Sequence, residues 1–210
     1  MIKIISILLL INSIFTLNAQ KSSDAEKLIK DYLHSVQTGA VQTSFNLKVI
    51  PKNSVNSQSI TGSMIMKGNQ FSLTTEDVKV WFDGKTQWAL FEQNQEVNIT
   101  QPSQEELTET NPMAILSSAV ATSKVSFGNA QNTLSRTVVL TPLKAGFPYT
   151  KVLVQLSKPA NQLLSIQVFN KDGSRHELTI VEYRSKAGVN SSTFRFDKAK
   201  YPTVIVNDLR

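Results

Sequence analysis

The sequence contains no cysteine. That absence removes disulfide frameworks, thiolate zinc sites, thiolate nucleophiles and cysteine-linked lipid anchors together. Histidine is scarce as well: His34 and His176 are the two present in 210 residues, too few for a histidine-rich metal centre. Runs of basic residues are missing. The formal charge is +6, from 22 Lys and Arg against 16 Asp and Glu, yet the densest spot is Lys198-Ala199-Lys200. A nucleic-acid surface would gather its cations, so no nucleic-acid partner is expected. Phosphate-loop, dinucleotide and EF-hand patterns are absent, as is the G-x-S-x-G elbow, and no cofactor or metal is expected. After residue 19 no stretch approaches the 18 or so apolar residues of a membrane span.

What is present reads as a folded, exported chain. A content of 40% hydrophobic and 18% charged residues is that of a globular protein with a sizeable core. Met1–Ala19 has Lys3 near its start, an apolar stretch over Ile4–Phe15, and Leu17-Asn18-Ala19 as a small-residue cleavage point. It is expected to be a removed export signal, leaving residues 20–210 as one domain. Ser23 and Glu26 form a capping box for a helix whose apolar stripe is Ala25, Leu28, Ile29, Tyr32 and Val36, stopped by Gly39. Period-2 alternation then marks strands: Phe45, Leu47 and Val49; Ile60, Met64 and Met66; Phe71 and Leu73; Val152, Val154 and Leu156. Ser103 with Glu106, and Asn111 before Pro112, open a helical interlude carrying Met113, Ile115, Leu116, Ala119 and Val120. The class is α+β, a large antiparallel sheet with helices gathered on one side.

Two Asp-Gly turns fix expected registers. Three-residue loops, Phe82–Gly84 and Lys171–Gly173, match apolar residues across strands better than two-residue loops. The first then pairs Val78 with Trp88, the second Val168 with His176 and Ile166 with Leu178. Asp83 and Asp172 are accounted for as turn residues. Each histidine lies beside or on an apolar face, where a structural role outweighs a catalytic one. An exported hydrolase using His34 or His176 is the rival reading, and the weaker one. The ten Phe, four Met and the paired Trp81 and Trp88 suit an ordinary core or a cavity for apolar guests alike.

The order of short motifs is more specific. Phe71-Ser72-Leu73, then Trp81-Phe82-Asp83-Gly84-Lys85-Thr86-Gln87-Trp88, Val97-Asn98-Ile99, Asn111-Pro112-Met113-Ala114-Ile115-Leu116, Val139-Leu140-Thr141-Pro142, Asp172-Gly173 and Phe194-Arg195-Phe196 resemble the LolA family of periplasmic lipoprotein carriers, in the family's order. The resemblance implies a half-open antiparallel β-barrel with a helical lid over its concave face. It implies a non-enzymatic chaperone, acting as a monomer, that shelters lipoprotein acyl chains and carries them across the periplasm. Its partners would be acylated lipoproteins, an inner-membrane lipoprotein-release transporter and an outer-membrane acceptor. A lipoprotein sensor of the same fold is the alternative within the binding class. Residues implied for lipid binding are Phe45, Leu47, Phe71, Leu73, Trp88 and Leu90 on the sheet, with Met113, Ile115 and Leu116 on the lid. The family's lid-latching arginine is matched by Lys67, which keeps the charge and loses the planar fork.

Overall fold

A computed structural model describes residues 24–53, 56–103, 106–107, 112–129, 132–186 and 188–210. The export signal, the Ser23 cap and the Asn111 cap lie outside these residues. Helix α1 (residues 24–38) buries the stripe its spacing dictates: Ala25, Ile29 and Val36 are fully enclosed and Tyr32 nearly so. Its outer side carries two i,i+4 pairs, Lys27–Asp31 and Lys30–Glu26, worth a few tenths of a kcal/mol each. At its end Gly39 N–H donates to Ser35 O, and Gly68 N–H donates to Val36 O.

A meander of six strands follows: β1 (Ala40–Ile50), β2 (Gln58–Lys67), β3 (Gln70–Thr75), β4 (Val78–Phe82), β5 (Gln87–Phe91) and β6 (Glu96–Thr100). After helix α2 (Pro112–Ala121) comes a second run: β7 (Ser123–Phe127), β8 (Ser135–Pro142), β9 (Tyr149–Ser157), β10 (Leu163–Asn170) and β11 (Arg175–Lys186). Two 3-10 turns, Ser191–Phe194 and Lys198–Lys200, precede β12 (Ile205–Asp208). The strands form one sheet in the order β12-β6-β5-β4-β3-β2-β1-β11-β10-β9-β8-β7. Every pairing is antiparallel except β12 with β6. The edge strands β12 and β7 do not pair with each other, so the half-barrel stays open.

This order explains where the lid lies. Strand β6 is next to one edge and β7 is the other edge, and α2, which lies between them in sequence, packs on the core side of the sheet. The capping box anticipated at the start of the helical interlude is formed: Ser103 N–H donates to Glu106 Oε2 at 2.6 Å, and Glu106 N–H to Ser103 Oγ at 3.2 Å. Leu116, Ala119 and Val120 of α2 join the same core as α1, Phe45, Met64, Met66, Phe71, Phe82 and the inward residues of β7–β10. Both helices therefore occupy the concave face. Under them Phe45 crosses Gly62, where an added Cβ would lie 2.7 Å from the Phe45 ring and 2.6 Å from Thr74 O. Only glycine admits that approach.

The two hairpins split on register. Val168 pairs with His176 and Ile166 with Leu178, as the three-residue loop requires. The β4–β5 hairpin instead has a four-residue loop, with Phe82 opposite Gln87 and Trp81 opposite Trp88. Asp83 makes the difference. Its Oδ1 accepts from Lys85 N–H at 3.1 Å and Thr86 N–H at 2.9 Å, while Asp83 N–H donates to Thr86 O and Gly84 takes φ +98°. The three-residue expectation, Val78 with Trp88, is off by an odd number of residues, and an odd slip exchanges faces. In the Phe194–Phe196 segment, Phe194 ends a 3-10 turn and Arg195 is extended.

Candidate functional site

The concave face divides into a filled part and a hollow part. Between α2 and β9–β11 lies a cavity of about 960 Å³. Its floor is Val152, Ile166 and Val168, which alternate inward on β9 and β10. Its roof is Ile115, Leu116, Ser118 and Ala119 of α2. Phe147, Pro148 and Tyr149 close one side, the two rings 5.5 Å apart. The β10–β11 turn supplies a polar rim of Asn170, Lys171, Asp172, Ser174 and His176. Lys171 N–H donates to Pro148 O at 2.8 Å, tying that rim to the side wall.

The rim has the residue types of hydrolytic chemistry without its connections. Ser174 Oγ donates to Asp172 Oδ1 at 2.7 Å, so the hydroxyl is spent on the turn rather than on an imidazole. Together with the Ser174 N–H, that bond holds the Asp172 carboxyl below the usual aspartate range. A nucleophile needs its base as hydrogen-bond partner, with a third group orienting the base. His34 is exposed on α1 and is not among the residues that line the cavity. Among the described residues no group of three or more His, Asp or Glu could hold a metal. What the arrangement offers is apolar volume with a polar lip.

Of the residues named from sequence, Phe45, Phe71 and Leu116 are buried in the main core, with Leu47, Leu73 and Met113 half-buried against it. Ile115 is 42% exposed at the cavity roof. Trp88 and Leu90 are corrected. The Asp83 loop turns them to the outer face, where Leu90, Val97 and Val204 make a second core with Trp81, Trp88, Phe196 and Tyr201. There Phe196 and Tyr201 stack at 5.4 Å, and both meet Trp81 edge-on. Lys67, expected from the resemblance as the latch, ends β2. Met66 beside it points into the core, so Lys67 points outward, and its Nζ lies 3.5 Å from Val189 O rather than on the lid.

The cavity floor was not singled out from sequence. Val152, Ile166 and Val168 read as strand residues, and alternation is the same over a void as over a core. A signal that could have found the wall is Phe147-Pro148-Tyr149, two aromatics flanking a proline just after Gly146, where the chain enters β9.

The family model described as outer membrane lipoprotein carrier protein LolA matches residues 15–138, more than half of the chain. The chain belongs to the LolA family. No curated protein matches it. Among solved structures, an uncharacterized conserved protein from Thermus thermophilus is similar at TM-score 0.59 and 9% identity, over 88% of this chain and 99% of that one. That likeness shows a shared fold. A putative outer membrane lipoprotein-sorting protein domain from Vibrio parahaemolyticus has TM-score 0.46 and 11% identity, over 86% and 99%. A LolA superfamily protein from Nitrosomonas europaea has 0.44 and 8%, over 82% and 97%. The LolA match includes α2 but ends in β8, so β9 and β10, the cavity floor, lie beyond it.

Proposed function

We propose that this LolA-family protein is an exported, non-enzymatic carrier that holds lipoprotein acyl chains beneath α2 and conveys them through the periplasm toward the outer membrane. One observation carries the reading: an apolar cavity of about 960 Å³, roofed by a helix whose Ile115 remains exposed, inside a fold of the carrier family. An acyl chain in water loses about 0.8 kcal/mol per exposed methylene, so a soluble intermediate has to cover it. Within this proposal residues 1–19 act as the export signal, and residues 20–210 work as a monomer. Its partners are acylated lipoproteins, an inner-membrane releasing transporter and an outer-membrane acceptor. Phe45, Leu47, Phe71, Leu73, Met113 and Leu116 support the lining from the core side, and Ile115 meets the cargo.

A photo-crosslinking residue tests this in cells. Placed at Val168, which faces the cavity, it should capture acylated lipoproteins. At Gln167, the next residue and therefore on the outer face, it should not. Equal capture at both positions would mean a sticky surface, and capture at neither would leave the cavity without cargo.

A further inference from the structure

We propose that the loop end of the cavity docks on an anionic bilayer surface, so that an acyl chain passes between lipid and cavity at that mouth. This rests on the carrier reading and names the surface with which its cavity exchanges. Antiparallel pairing brings three connections to one end of the sheet: residues 51–57 after β1, 143–148 before β9 and 171–174 before β11. They abut one another. Lys171 N–H donates to Pro148 O at 2.8 Å. The Lys52 side chain lies on the β10–β11 turn, its Cδ 2.6 Å from where a Cβ on Gly173 would stand. Two of the three connections line the cavity, through Phe147, Pro148 and Lys171.

Charge is sorted along this end. Lys52, Lys144, Lys151 and Lys171 are all exposed there, while Arg175 is matched by Glu177 at 2.8 Å. Asp172, the other carboxylate of these segments, accepts from the Ser174 N–H and hydroxyl. The β3–β4 and β5–β6 turns point the same way, yet carry Glu76, Asp77, Glu92 and Glu96 against Lys79. Cations dispersed in the sequence are thus gathered by the fold beside the cavity rather than around the whole end. An apolar tip accompanies them. Leu143, next to Lys144, is 67% exposed, and a Cβ added at Gly146 would meet nothing within 4 Å, so this loop stands clear of the sheet. An apolar group for the acyl boundary with lysines at phosphate level is the make-up of an interfacial anchor. The bilayer fits best as occupant because the surface that matches the lysines also supplies the chains that the cavity would hold.

The test is sedimentation of the purified protein with vesicles, with no lipopeptide present. Vesicles of dioleoylphosphatidylcholine are compared with vesicles in which about one-third of the lipid is dioleoylphosphatidylglycerol, at low salt and at about 1 M NaCl, where charges are screened beyond about 3 Å. The protein should partition to the anionic vesicles and be largely released by salt. Lys144→Gln and Lys151→Gln should each lower low-salt partitioning about fivefold. Leu143→Ser should lower it about tenfold, because an apolar contact is lost. Lys85→Gln, the same charge change on the β4–β5 turn at the opposite end of the sheet, should bind as the native protein does. All four side chains are exposed, so the variants keep the fold. An equal loss with Lys85→Gln would overturn the proposal, because net charge and not this face would then decide. No preference for the anionic vesicles would overturn it as well, and would leave the carrier reading, which crosslinking at Val168 tests, standing. Displacement by inorganic phosphate more effective than by chloride at equal ionic strength would also overturn it, assigning the lysines to a free anion. Docking that persists while a crosslinker at Val168 captures nothing would keep the membrane surface and remove the carrier reading.

Discussion

The two helices lie on the same face of the same sheet and do opposite things there. Helix α1 presses Ala25, Ile29, Tyr32 and Val36 into the strands until no surface is left. Helix α2 buries Leu116, Ala119 and Val120 along one side but leaves Ile115 open over a cavity. Their sequences explain the contrast. The α1 stripe contains large residues at each inward position after Ala25. Ser118 of α2 puts a small polar residue at the cavity roof, where a packed helix would carry leucine or phenylalanine, so the roof does not fill the space beneath it. One helix is there to hold the sheet, the other to stand off from it.

Paired truncations sharpen that contrast, and the largest effect belongs to α1. Ile29→Ala removes a fully enclosed side chain from a site that cannot collapse, and should cost about 2–4 kcal/mol in urea unfolding. Ile115→Ala should change stability by less than about 0.5 kcal/mol yet lower uptake of a dipalmitoyl lipopeptide several-fold. If the two substitutions cost the same in stability, α2 is packed as tightly as α1 and the contrast between the helices is gone.

How much of this was legible in the sequence follows the same division. The α1 stripe was read correctly because helical periodicity reports burial on one side and nothing more is needed. Val168 opposite His176 was read correctly because one register matched apolar residues and the alternative did not. Trp88 was misplaced because Asp83 shapes its loop through its own carboxylate, a bond that alternation does not encode. The outer-face cluster stayed hidden for a related reason: Phe196 and Tyr201 reach Trp81 by way of 3-10 turns with no period to read. The half-barrel and its lid came from the ordered motifs, whereas the hollow beneath the lid is a difference between touching and not touching.

Asp83 offers a middle-sized effect on the other side of the sheet. Its Oδ2 pairs with Arg195 at 3.0 Å, joining the β4–β5 turn to the segment that crosses the outer face. Desolvation pulls its carboxyl upward, but the Thr86 and Lys85 N–H groups and then Arg195 outweigh it and hold it below the ordinary range. A depressed folded pKa gives stability that is fully present above the unfolded value near pH 4 and is lost as pH falls through the folded one. Asp83→Asn should therefore cost up to about 1 kcal/mol at pH 7, Arg195 being largely exposed. The gap between variant and native protein should close below about pH 4, as read by thermal unfolding across pH. A gap that persists at pH 2 would assign the effect to the turn's geometry rather than to its charge.

Lys67→Leu should do least, and its smallness is informative. Lys67 is the last residue of β2, paired with Ala40 and Gln70, and exposed on the outer face. Its one described bond is a 3.5 Å contact to Val189 O, at the limit of hydrogen-bond length and open to water, so its loss should cost less than about 0.5 kcal/mol. Because Met66 rather than Lys67 points toward α2, transfer of an acylated peptide from the protein to vesicles should proceed at the native rate. An arginine at this place would differ little for the same reason, since the planar fork matters only where it can reach a partner. A Lys67→Leu protein that unfolds normally but releases its cargo several-fold faster would contradict this. It would mean that cargo binding turns the end of β2 inward and that α2 is then held by a contact other than those described above.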